Sequence, residues 1–379
     1  MTALPDHAYA AALAGLETLT PARLRHLLAA APTAERAWHV VKSGRARDLI
    51  HLRSPRARPE EIARRLAAEA SRVDATAVWA RCRAVGVRVL RLGDHDYPSV
   101  LAVDGAPPAV LFCRGDLGAL APRRVAIVGT RAATANGCSI ARELGADLAR
   151  VGVCILSGLA RGIDGHAHRG ALAAAGAAPV GVVACGLDVV YPSEHRDLWN
   201  QIGRVGLLLS EVPPGCAPRP HRFPARNRIL AALSDAVVVV ESRFRGGSLV
   251  TANEAIERGV RVLAVPGSPR SAASEGTNGL IVDGCTPARD ATDILVALGL
   301  SALDLRSPRN SAHEILPGDR KLLECFGGEP LDLDGVIAAT GDQLAIVAMS
   351  LGRLEAGGWL VQSGGWFERT ARPLAGIGR

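Results

Sequence analysis

The hydrophobic pattern of this chain differs on the two sides of residue 125. Before that point, alanine- and leucine-rich stretches predict short helices. These helices span residues 8–16, 21–31 and 61–71. Thr20 and Pro21 support the second helix, because threonine caps helices and proline suits the first helical position. We therefore expect a small helical domain of the SAM or helix-hairpin-helix type over residues 1–74, and the pattern leaves open whether it binds a macromolecule or is purely structural.

After residue 125, short apolar and β-branched runs alternate with helical stretches. The runs cover residues 125–128, 153–156, 180–183, 206–209, 236–240 and 260–265. The helical stretches cover residues 138–150, 166–175 and 249–258. Continuous apolar strands that alternate with helices are typical of a parallel sheet covered on both faces. The pattern therefore predicts an α/β fold, with an extended Rossmann-like domain over residues 75–300.

The last part of the chain predicts a third domain. Residues 301–314 are rich in Ser, Pro, Asn and charge, and are typical of a linker. Helical stretches follow at residues 319–326, 333–339 and 343–355. A segment then alternates around Gly364 and Gly365, as a β-hairpin would. Three helices followed by a hairpin predict a winged helix over residues 315–379.

The helix of this winged helix that would enter a DNA groove is poor in polar residues. Residues 343–355 carry Arg353 as their only base and are otherwise mostly Ala, Leu and Val. Side chains that read the major groove need several polar or basic groups. The pattern therefore favours packing or a partner contact over DNA reading in this domain.

Composition adds weaker indications. With 379 residues the chain is long enough for two or three domains, and its net charge of +7 favours an anionic partner. Its eight cysteines form no C-x-x-C pair and lie near no histidine at ligand spacing, so we predict neither disulfides nor a metal site. Residues 1–10 lack the order of a signal peptide, and Pro179 interrupts the longest apolar stretch. We expect a cytoplasmic protein without membrane contact.

Residues 219–228 carry the strongest local signal. They contain four arginines, one histidine, one aromatic ring and no acid, and an apolar segment follows directly. Arginines neutralise phosphates, and a flat ring stacks on any base without reading its identity, so the run suits single-stranded nucleic acid. The alternative is a solvated arginine-rich loop. The candidate side chains are Arg222, Phe223, Arg226, Asn227 and Arg228.

The ends of three predicted strands supply further anion-binding candidates. In open α/β sheets, ligands bind outside the carboxyl ends of the strands. Glycines there expose backbone amides, and hydroxyls and arginines donate to phosphate oxygens. The candidates are Gly129, Thr130 and Arg131 after the first run, Ser157, Gly158, Arg161 and Gly162 after the second, and Gly247 and Ser248 before a later helix.

Two carboxylates in this region have competing interpretations. Asp164 lies two residues before His166, which suits an acid–base pair, but capping of the helix at residues 166–175 is favoured. The His166–His168 pair has no further ligand in view, so metal binding is not expected. Glu254 lies one turn inside a later helix and suits a catalytic carboxylate in an enzyme acting on nucleotides.

The order of these motifs resembles the DNA-processing protein A family, also called DprA or Smf. The resemblance covers residues 75–290, and it is carried by segments 127–131, 157–164, 186–192, 223–228 and 247–252. Shorter matches occur at residues 96–98, 107–108, 266–267 and 276–278. It implies a protein that binds single-stranded DNA, forms homodimers and helps load the RecA recombinase in natural transformation. It implies no catalytic residue and no cofactor.

The resemblance also implies roles for individual residues. Arg131 and the Phe223, Arg226 and Asn227 segment match the family's DNA-contacting motifs. Some members carry lysine just before the phenylalanine, where this chain has Arg222. We expect Arg131, Arg222, Arg226 and Arg228 to hold phosphates, Phe223 to stack on a base, and the amides near Gly158, Gly162 and Gly247 to bind backbone oxygens.

Two other functions remain open at this point. Residues 246–254 are similar to a Gly-Gly-x-Gly-Thr-x-x-Glu segment of nucleoside-monophosphate phosphoribohydrolases of the lysine-decarboxylase-like family. They lack the glycine before Thr251, and Glu254 does not fall at the matching position. A structural scaffold whose basic run confers solubility is the third possibility, and the clustering of arginine at strand ends argues against it.

Overall fold

The computed structural model describes residues 3–49, 58–300, 316–326, 330–356 and 359–370. The predicted linker at residues 301–314 therefore lies outside the described residues. In the N-terminal part, the helices are α1 (Asp6–Ala14), α2 (Pro21–Ala30), α3 (Ala34–Lys42), α4 (Pro59–Ser71) and α5 (Ala75–Ala84). The Thr20 side chain accepts a hydrogen bond from the Arg23 amide, so the predicted cap of α2 is confirmed.

A nine-stranded sheet forms the centre of the molecule. Its strands are β1 (Arg88–Arg91), β2 (Val110–Gly115), β3 (Arg124–Val128), β4 (Cys154–Ser157), β5 (Val180–Val183), β6 (Leu207–Ser210), β7 (Ala236–Val239), β8 (Arg261–Ala264) and β9 (Thr286–Pro287). They lie in the order β1-β2-β6-β5-β4-β3-β7-β8-β9. The strands from β6 to β9 in this order are parallel, and β1 and β2 are antiparallel at one edge.

This sheet confirms the predicted α/β, Rossmann-like fold. The six predicted strands correspond to β3 through β8, each within a few residues of its expected bounds. Their residues are buried at nearly every position, which is why they appear as continuous apolar runs rather than alternating ones. The antiparallel strands β1 and β2 were not predicted.

Helices cover both faces of the sheet. They are α6 (Ser99–Ala102), α7 (Ala135–Arg150), α8 (Ile163–Ala173), α9 (Arg196–Val205), α10 (Arg222–Leu233), α11 (Gly247–Glu257), α12 (Glu275–Val282) and α13 (Ala291–Ala297). Helices α10 and α11 share a hydrophobic core with one face, and α7, α8 and α13 share a core with the other. The sheet is thus buried between two layers of helices.

The N-terminal helices pack directly on the sheet. Leu27 and Trp38 belong to the same hydrophobic cluster as Phe112 of β2 and Trp199 of α9. Helix α5, which follows the predicted boundary after residue 74, also packs against α1. The division at residue 74 therefore stays a prediction, while the packing makes the helices part of one continuous core.

The C-terminal part has its own small core. Its elements are α14 (Pro317–Glu324), β10 (Leu331–Asp332), α15 (Leu333–Thr340), α16 (Leu344–Ala356), β11 (Leu360–Ser363) and β12 (Trp366–Arg369). The strands form a separate antiparallel sheet in the order β10-β12-β11. The predicted hairpin is confirmed, because Gly364 and Gly365 both take positive φ angles between β11 and β12.

The winged-helix interpretation of this part stays a prediction, although the element order agrees with it. Within α16, the Arg353 guanidinium donates to both carboxylate oxygens of Asp319, at 2.8 and 2.7 Å. The only base on the expected groove-reading helix is therefore neutralised. No single helix in the described ranges is long and apolar enough to cross a membrane; α15 and α16 reach the required length only as a pair bent by 112°.

Candidate nucleic-acid interface

The order of the strands creates a crevice at the carboxyl edge of the sheet. From β3 the chain proceeds to β4 on one side, and it later returns to β7 on the other side of β3. At such a reversal the loops after the two strands part, and ligands bind between them. The loops after β3, β4 and β7 and the start of α10 enclose a cavity of about 490 Å³ here, which we call the switch cleft.

The arginine-rich run takes a different form from a loop. Residues 222–228 are the first two turns of α10, with Pro224 at an early helical position that needs no amide donor. Helical spacing therefore divides the run: Phe223, Arg226 and Asn227 line the switch cleft, whereas Arg228 points elsewhere.

An arginine and an aromatic ring line the switch cleft, and a second ring packs against the first. The Arg131 guanidinium carbon lies 4.7 Å from the centre of the Phe223 ring. The Tyr191 ring lies on Phe223, at 5.7 Å between centroids and a tilt of 54°. Arg131 is exposed and Phe223 is half-buried, so the ring is held in place while a face of the group stays accessible. The fold thus brings together two candidates, Arg131 and Phe223, that lie far apart in the sequence.

Arg226 is buried, and its role differs from the expected phosphate contact. The guanidinium donates to the Val182 carbonyl oxygen of β5 and, through Nε, to Asn227 Oδ1 at 3.1 Å. It also lies against Gly158, where a Cβ would come within 2.2 Å of Arg226 Nη1. Burial lowers the pKa of Arg226, and the field of Asp164 opposes this effect. Arg226 therefore supports the floor of the switch cleft from beneath.

Asp164 does not cap α8, which corrects the favoured interpretation from sequence. Its carboxylate accepts hydrogen bonds from the amides of Gly158, at 3.0 Å, and Ala160, at 3.4 Å. Burial raises the pKa of Asp164, and Arg226 and these amides oppose that rise. The Gly158 amide is thus occupied, and Asp164 fixes the loop after β4 instead of acting with His166 as an acid–base pair.

Other predicted phosphate ligands are held by protein partners. Arg228 pairs with Glu211 and donates to the Ala106 carbonyl oxygen at 2.6 Å, and its side chain is 11% exposed. Arg161 pairs with Glu194 on the surface. Arg222 donates to the Ala217 carbonyl oxygen at 2.7 Å. Of these three, Arg222 is the one without a carboxylate partner among the described residues, so we correct the expectation for Arg228.

The hydroxyl and glycine candidates act largely within the protein. Ser157 is fully buried and donates to the Ile127 carbonyl oxygen at 2.6 Å, and Ser248 donates to Ser242 Oγ at 2.9 Å. Gly162 has a φ of 68°, and a Cβ there would lie 2.4 Å from the Thr130 carbonyl oxygen. A Cβ on Gly129 would lie 2.4 Å from Ile163 Cγ1. These residues let the loops after β3 and β4 approach closely.

The start of α11 opens into the switch cleft. Gly246 is the N-cap without a side-chain cap, and a Cβ on Gly247 would meet nothing within 4 Å. Arg243 and Arg245 precede it, are exposed and line the cleft, and neither forms an ion pair within the described ranges. Together with Arg131 they give the cleft a positive field beside free helix amides. Arg243 was not among the residues predicted from the sequence, because its place in the cleft depends on the pairing of β7 with β3.

Glu254 does not line the switch cleft. It pairs with Arg258 at 2.5 Å, and Arg258 also pairs with Asp104 at 2.8 Å. Within the described part of the chain, no group of three or more His, Cys, Asp or Glu side chains is arranged to hold a metal ion. The arrangement is therefore that of an α/β protein whose switch cleft suits an anion, since it is lined by an aromatic ring and by arginines that form no ion pair among the residues described.

Comparison with known proteins identifies the family. The sequence profile of the family described as DNA recombination-mediator protein A matches residues 88–299, which is more than half of the chain. The chain belongs to this family. The resemblance noted from the motifs is confirmed.

Individual relatives agree with this assignment. The DNA processing protein DprA of Bacillus subtilis is 40% identical over 222 residues, which cover 58% of this chain and 74% of the relative. Protein Smf of Escherichia coli is 37% identical over 284 residues, which cover 73% of this chain and 75% of the relative.

Solved structures share the fold. DNA processing protein A from Streptococcus pneumoniae superposes with a TM-score of 0.63 at 30% identity, covering 78% of this chain and 98% of that one. The protein from Helicobacter pylori, described for its single-stranded DNA binding mode, gives a TM-score of 0.51 at 30% identity, covering 56% and 95%.

Proposed function

We propose that this protein binds single-stranded DNA in the switch cleft and acts as a recombination mediator without catalysing a reaction. The observation that carries the proposal is the Arg131–Phe223 pair beside Arg243 and Arg245, all free of carboxylate partners within the described ranges. Guanidinium groups neutralise phosphates, and the ring offers a base a stacking surface. The Helicobacter pylori relative, which is described as binding single-stranded DNA, supports the choice of ligand.

The proposed DNA-contacting residues differ from those expected from the sequence. Arg131, Arg222, Arg243 and Arg245 contact phosphates, Phe223 stacks on a base, and the amides of Gly247 and Ser248 donate hydrogen bonds to a phosphate oxygen of the strand. Gly129, Thr130, Gly162 and Asn227 shape the walls. Arg226 positions the loop after β4 from below, and Arg161 joins only when its contact with Glu194 opens.

The binding test compares a labelled single strand with the duplex of the same sequence by fluorescence anisotropy at fixed salt. We expect the single strand to bind more tightly, because a duplex cannot present an unstacked base to Phe223. Phe223→Leu keeps an apolar side chain but loses the stacking face, so we expect about 1–3 kcal/mol weaker binding of the single strand. Equal affinity for both forms, unchanged by Phe223→Leu, contradicts the proposal.

The absence of catalysis is tested separately with nucleoside monophosphates. We expect no release of free base, because Glu254 is held by Arg258 and Asp164 is buried in hydrogen bonds to loop amides. Base release that is lost in Glu254→Gln would instead establish a phosphoribohydrolase.

We also propose that the protein works in the cytoplasm as a homodimer, which delivers incoming single strands to the RecA recombinase during transformation. Its family and its relatives named as DNA processing proteins support this role. Sedimentation should give a mass of two chains. The full chain should shorten the lag of recombinase filament growth on strands, and Arg131→Gln should restore the lag. An unchanged lag with the natural protein contradicts recombinase loading.

A further inference from the structure

Two glycine contacts bring α7 and α8 unusually close together. A Cβ on Gly170 would lie 1.9 Å from the Arg142 carbonyl oxygen, and a Cβ on Gly145 would lie 2.2 Å from the Ala167 carbonyl oxygen. Only glycine fits at such distances, so the two backbones touch. Side chains on the flanks of this contact are therefore brought together from both helices.

Three of those flanking side chains are basic. Arg142 is on α7, and His166 and Arg169 are three residues apart on α8, so they share a face of that helix. We call these three residues the α7–α8 basic cluster. A Cβ on Gly165 would lie 3.1 Å from Arg169 Nη1 and 3.0 Å from His195 Nε2, so His195 borders the cluster.

The positive charges in this cluster are not compensated within the described ranges. Arg142 and Arg169 form no ion pair there, and the nearby Glu194 is engaged by Arg161. Buried His166 Nδ1 has no hydrogen-bond partner. Besides burial, Arg142, Arg169 and His195 each lower the pKa of His166, which is the expected effect of like charges held close. Two guanidinium groups that lie close to one histidine and have no carboxylate partner within the described ranges fit an anion.

The cluster lies on two helices that lead away from the switch cleft. Helices α7 and α8 begin directly after the loops that follow β3 and β4, and those loops form one wall of the cleft. Tyr191, which packs at a tilt against Phe223, is two residues before the turn Ser193–His195, which borders the cluster. The turn Ser193–His195 therefore connects the aromatic pair with the side of the cluster that carries Arg169.

We propose that the α7–α8 basic cluster binds a backbone phosphate of the single strand after it leaves the switch cleft. This inference rests on the proposed function and extends it from one cleft to a path across two faces of the domain. The ligand is a phosphodiester of a continuous strand, so short strands that fill only the cleft do not use the cluster.

The test measures affinity and its salt dependence for two oligothymidylates, of about six and about twenty nucleotides, because single-strand sites span about 4–16 nucleotides. The variant is Arg142→Gln/Arg169→Gln in the full-length chain. The control is Arg150→Gln/Arg204→Gln, which removes the same charge from the last turns of α7 and α9, at the opposite edge of the sheet. Far-ultraviolet circular dichroism and thermal unfolding verify that each variant is folded.

We expect the cluster variant to bind the short strand as the natural protein does. For the long strand we expect at least a tenfold loss of affinity and a salt slope smaller by about 0.7, which is the contribution of one phosphate contact on a single strand. The control should match the natural protein for both lengths. If the double variant unfolds, Arg142→Gln alone is used. We then expect a smaller loss of affinity that is again confined to the long strand.

Three outcomes overturn the inference. Long-strand affinity and slope that stay unchanged, an equal loss for both lengths, or an equal loss in the control would each show that the cluster does not hold a strand phosphate. If the cluster bound only free inorganic phosphate, the cluster variant and the natural protein would show the same dependence of affinity on strand length. Failure of the proposed function looks different, because the natural protein would then bind neither oligonucleotide.

Discussion

At the scale of single residues, arginine serves two opposite purposes in this protein. Arg131 is exposed, lies over an aromatic ring and has no carboxylate partner within the described ranges. Arg226, from the same predicted set, is 7% exposed and bonded to a strand carbonyl. The first is a ligand-binding group in our proposal, and the second holds the loop that shapes the site.

This difference predicts opposite consequences of the same substitution. Arg226→Ala removes the donor to Val182 and leaves buried Asp164 without a counter-charge, so we expect a loss of about 3 kcal/mol or more in the free energy of unfolding. Arg131→Ala should change that free energy by less than about 0.5 kcal/mol, as for other exposed side chains. Urea denaturation measures both. Similar stability in the two variants would show that Arg226 is not structural.

A buried histidine predicts acid sensitivity. Burial lowers the pKa of His168 from 6.5 to about 3. Between these values the unfolded chain takes up a proton that the folded protein cannot, so stability falls as the pH drops below 6.5.

His168→Leu and His168→Gln should both remove this contribution, whatever their stability at neutral pH. We expect the slope of unfolding free energy against pH to become shallower by up to about 1.4 kcal/mol per pH unit between pH 6 and 4.5. Urea denaturation across that range measures the slope. A slope equal to that of the natural protein would mean that His168 titrates while folded.

At the scale of the elements, close contacts between loops decide the geometry of the cleft. Gly158 on the loop after β4 is packed against the Arg226 guanidinium of α10, whereas Gly247 at the start of α11 faces open space. The two glycines come from equivalent-looking strand-end or helix-start motifs in the sequence. Their surroundings are entirely different in the folded protein.

The pair Gly158→Ala and Gly247→Ala tests this contrast. A methyl group at residue 158 would collide with Arg226, so we expect a destabilisation of about 1–3 kcal/mol and weaker strand binding. A methyl group at residue 247 fits, and alanine favours helix, so stability should hold or rise by a few tenths of a kcal/mol. Thermal unfolding and anisotropy report both effects. Equal tolerance at the two positions would contradict the packing.

Much of the element structure could be predicted because the physics is local. The strands from β3 to β8 are buried on both faces, so they appear as continuous apolar runs. Antiparallel β1 was missed, since Arg88–Arg91 begins and ends with charge at an outer edge of the sheet. The arginine run before Ile229 was expected to be cationic, but sequence alone does not say which face of α10 meets the sheet.

Site residues were predicted where each lies in a recognisable local motif, and they were missed where only the fold brings them to the site. Arg131 and Phe223 were found from their motifs. Arg243 was not, because only the pairing of β7 with β3 brings it to the same cleft as Arg131. The pairing of Arg228 with Glu211 was hidden for the same reason, since it depends on a contact between α10 and the segment after β6.

At the scale of the whole molecule, arginines without ion pairs in the described ranges lie at the carboxyl edge of the sheet, whereas several arginines elsewhere form ion pairs. Arg123 and Arg124 pair with Asp235 at the opposite edge, and Arg258 pairs with Asp104. The net charge of +7 is therefore less important than where arginines remain unpaired. Among the residues that the structure describes, three such arginines line the switch cleft: Arg131, Arg243 and Arg245.

The most direct test is the salt dependence of single-strand binding with these three charges removed. Affinity for an oligothymidylate is measured against the logarithm of salt concentration in Arg131→Gln/Arg243→Gln/Arg245→Gln, with Arg64→Gln/Arg72→Gln/Arg150→Gln as the control of equal charge. We predict that the cleft variant loses about two from the slope, at about 0.7 for each phosphate contact, while the control keeps it. Parallel lines for the cleft variant and the natural protein would contradict the switch cleft as the place where DNA binds.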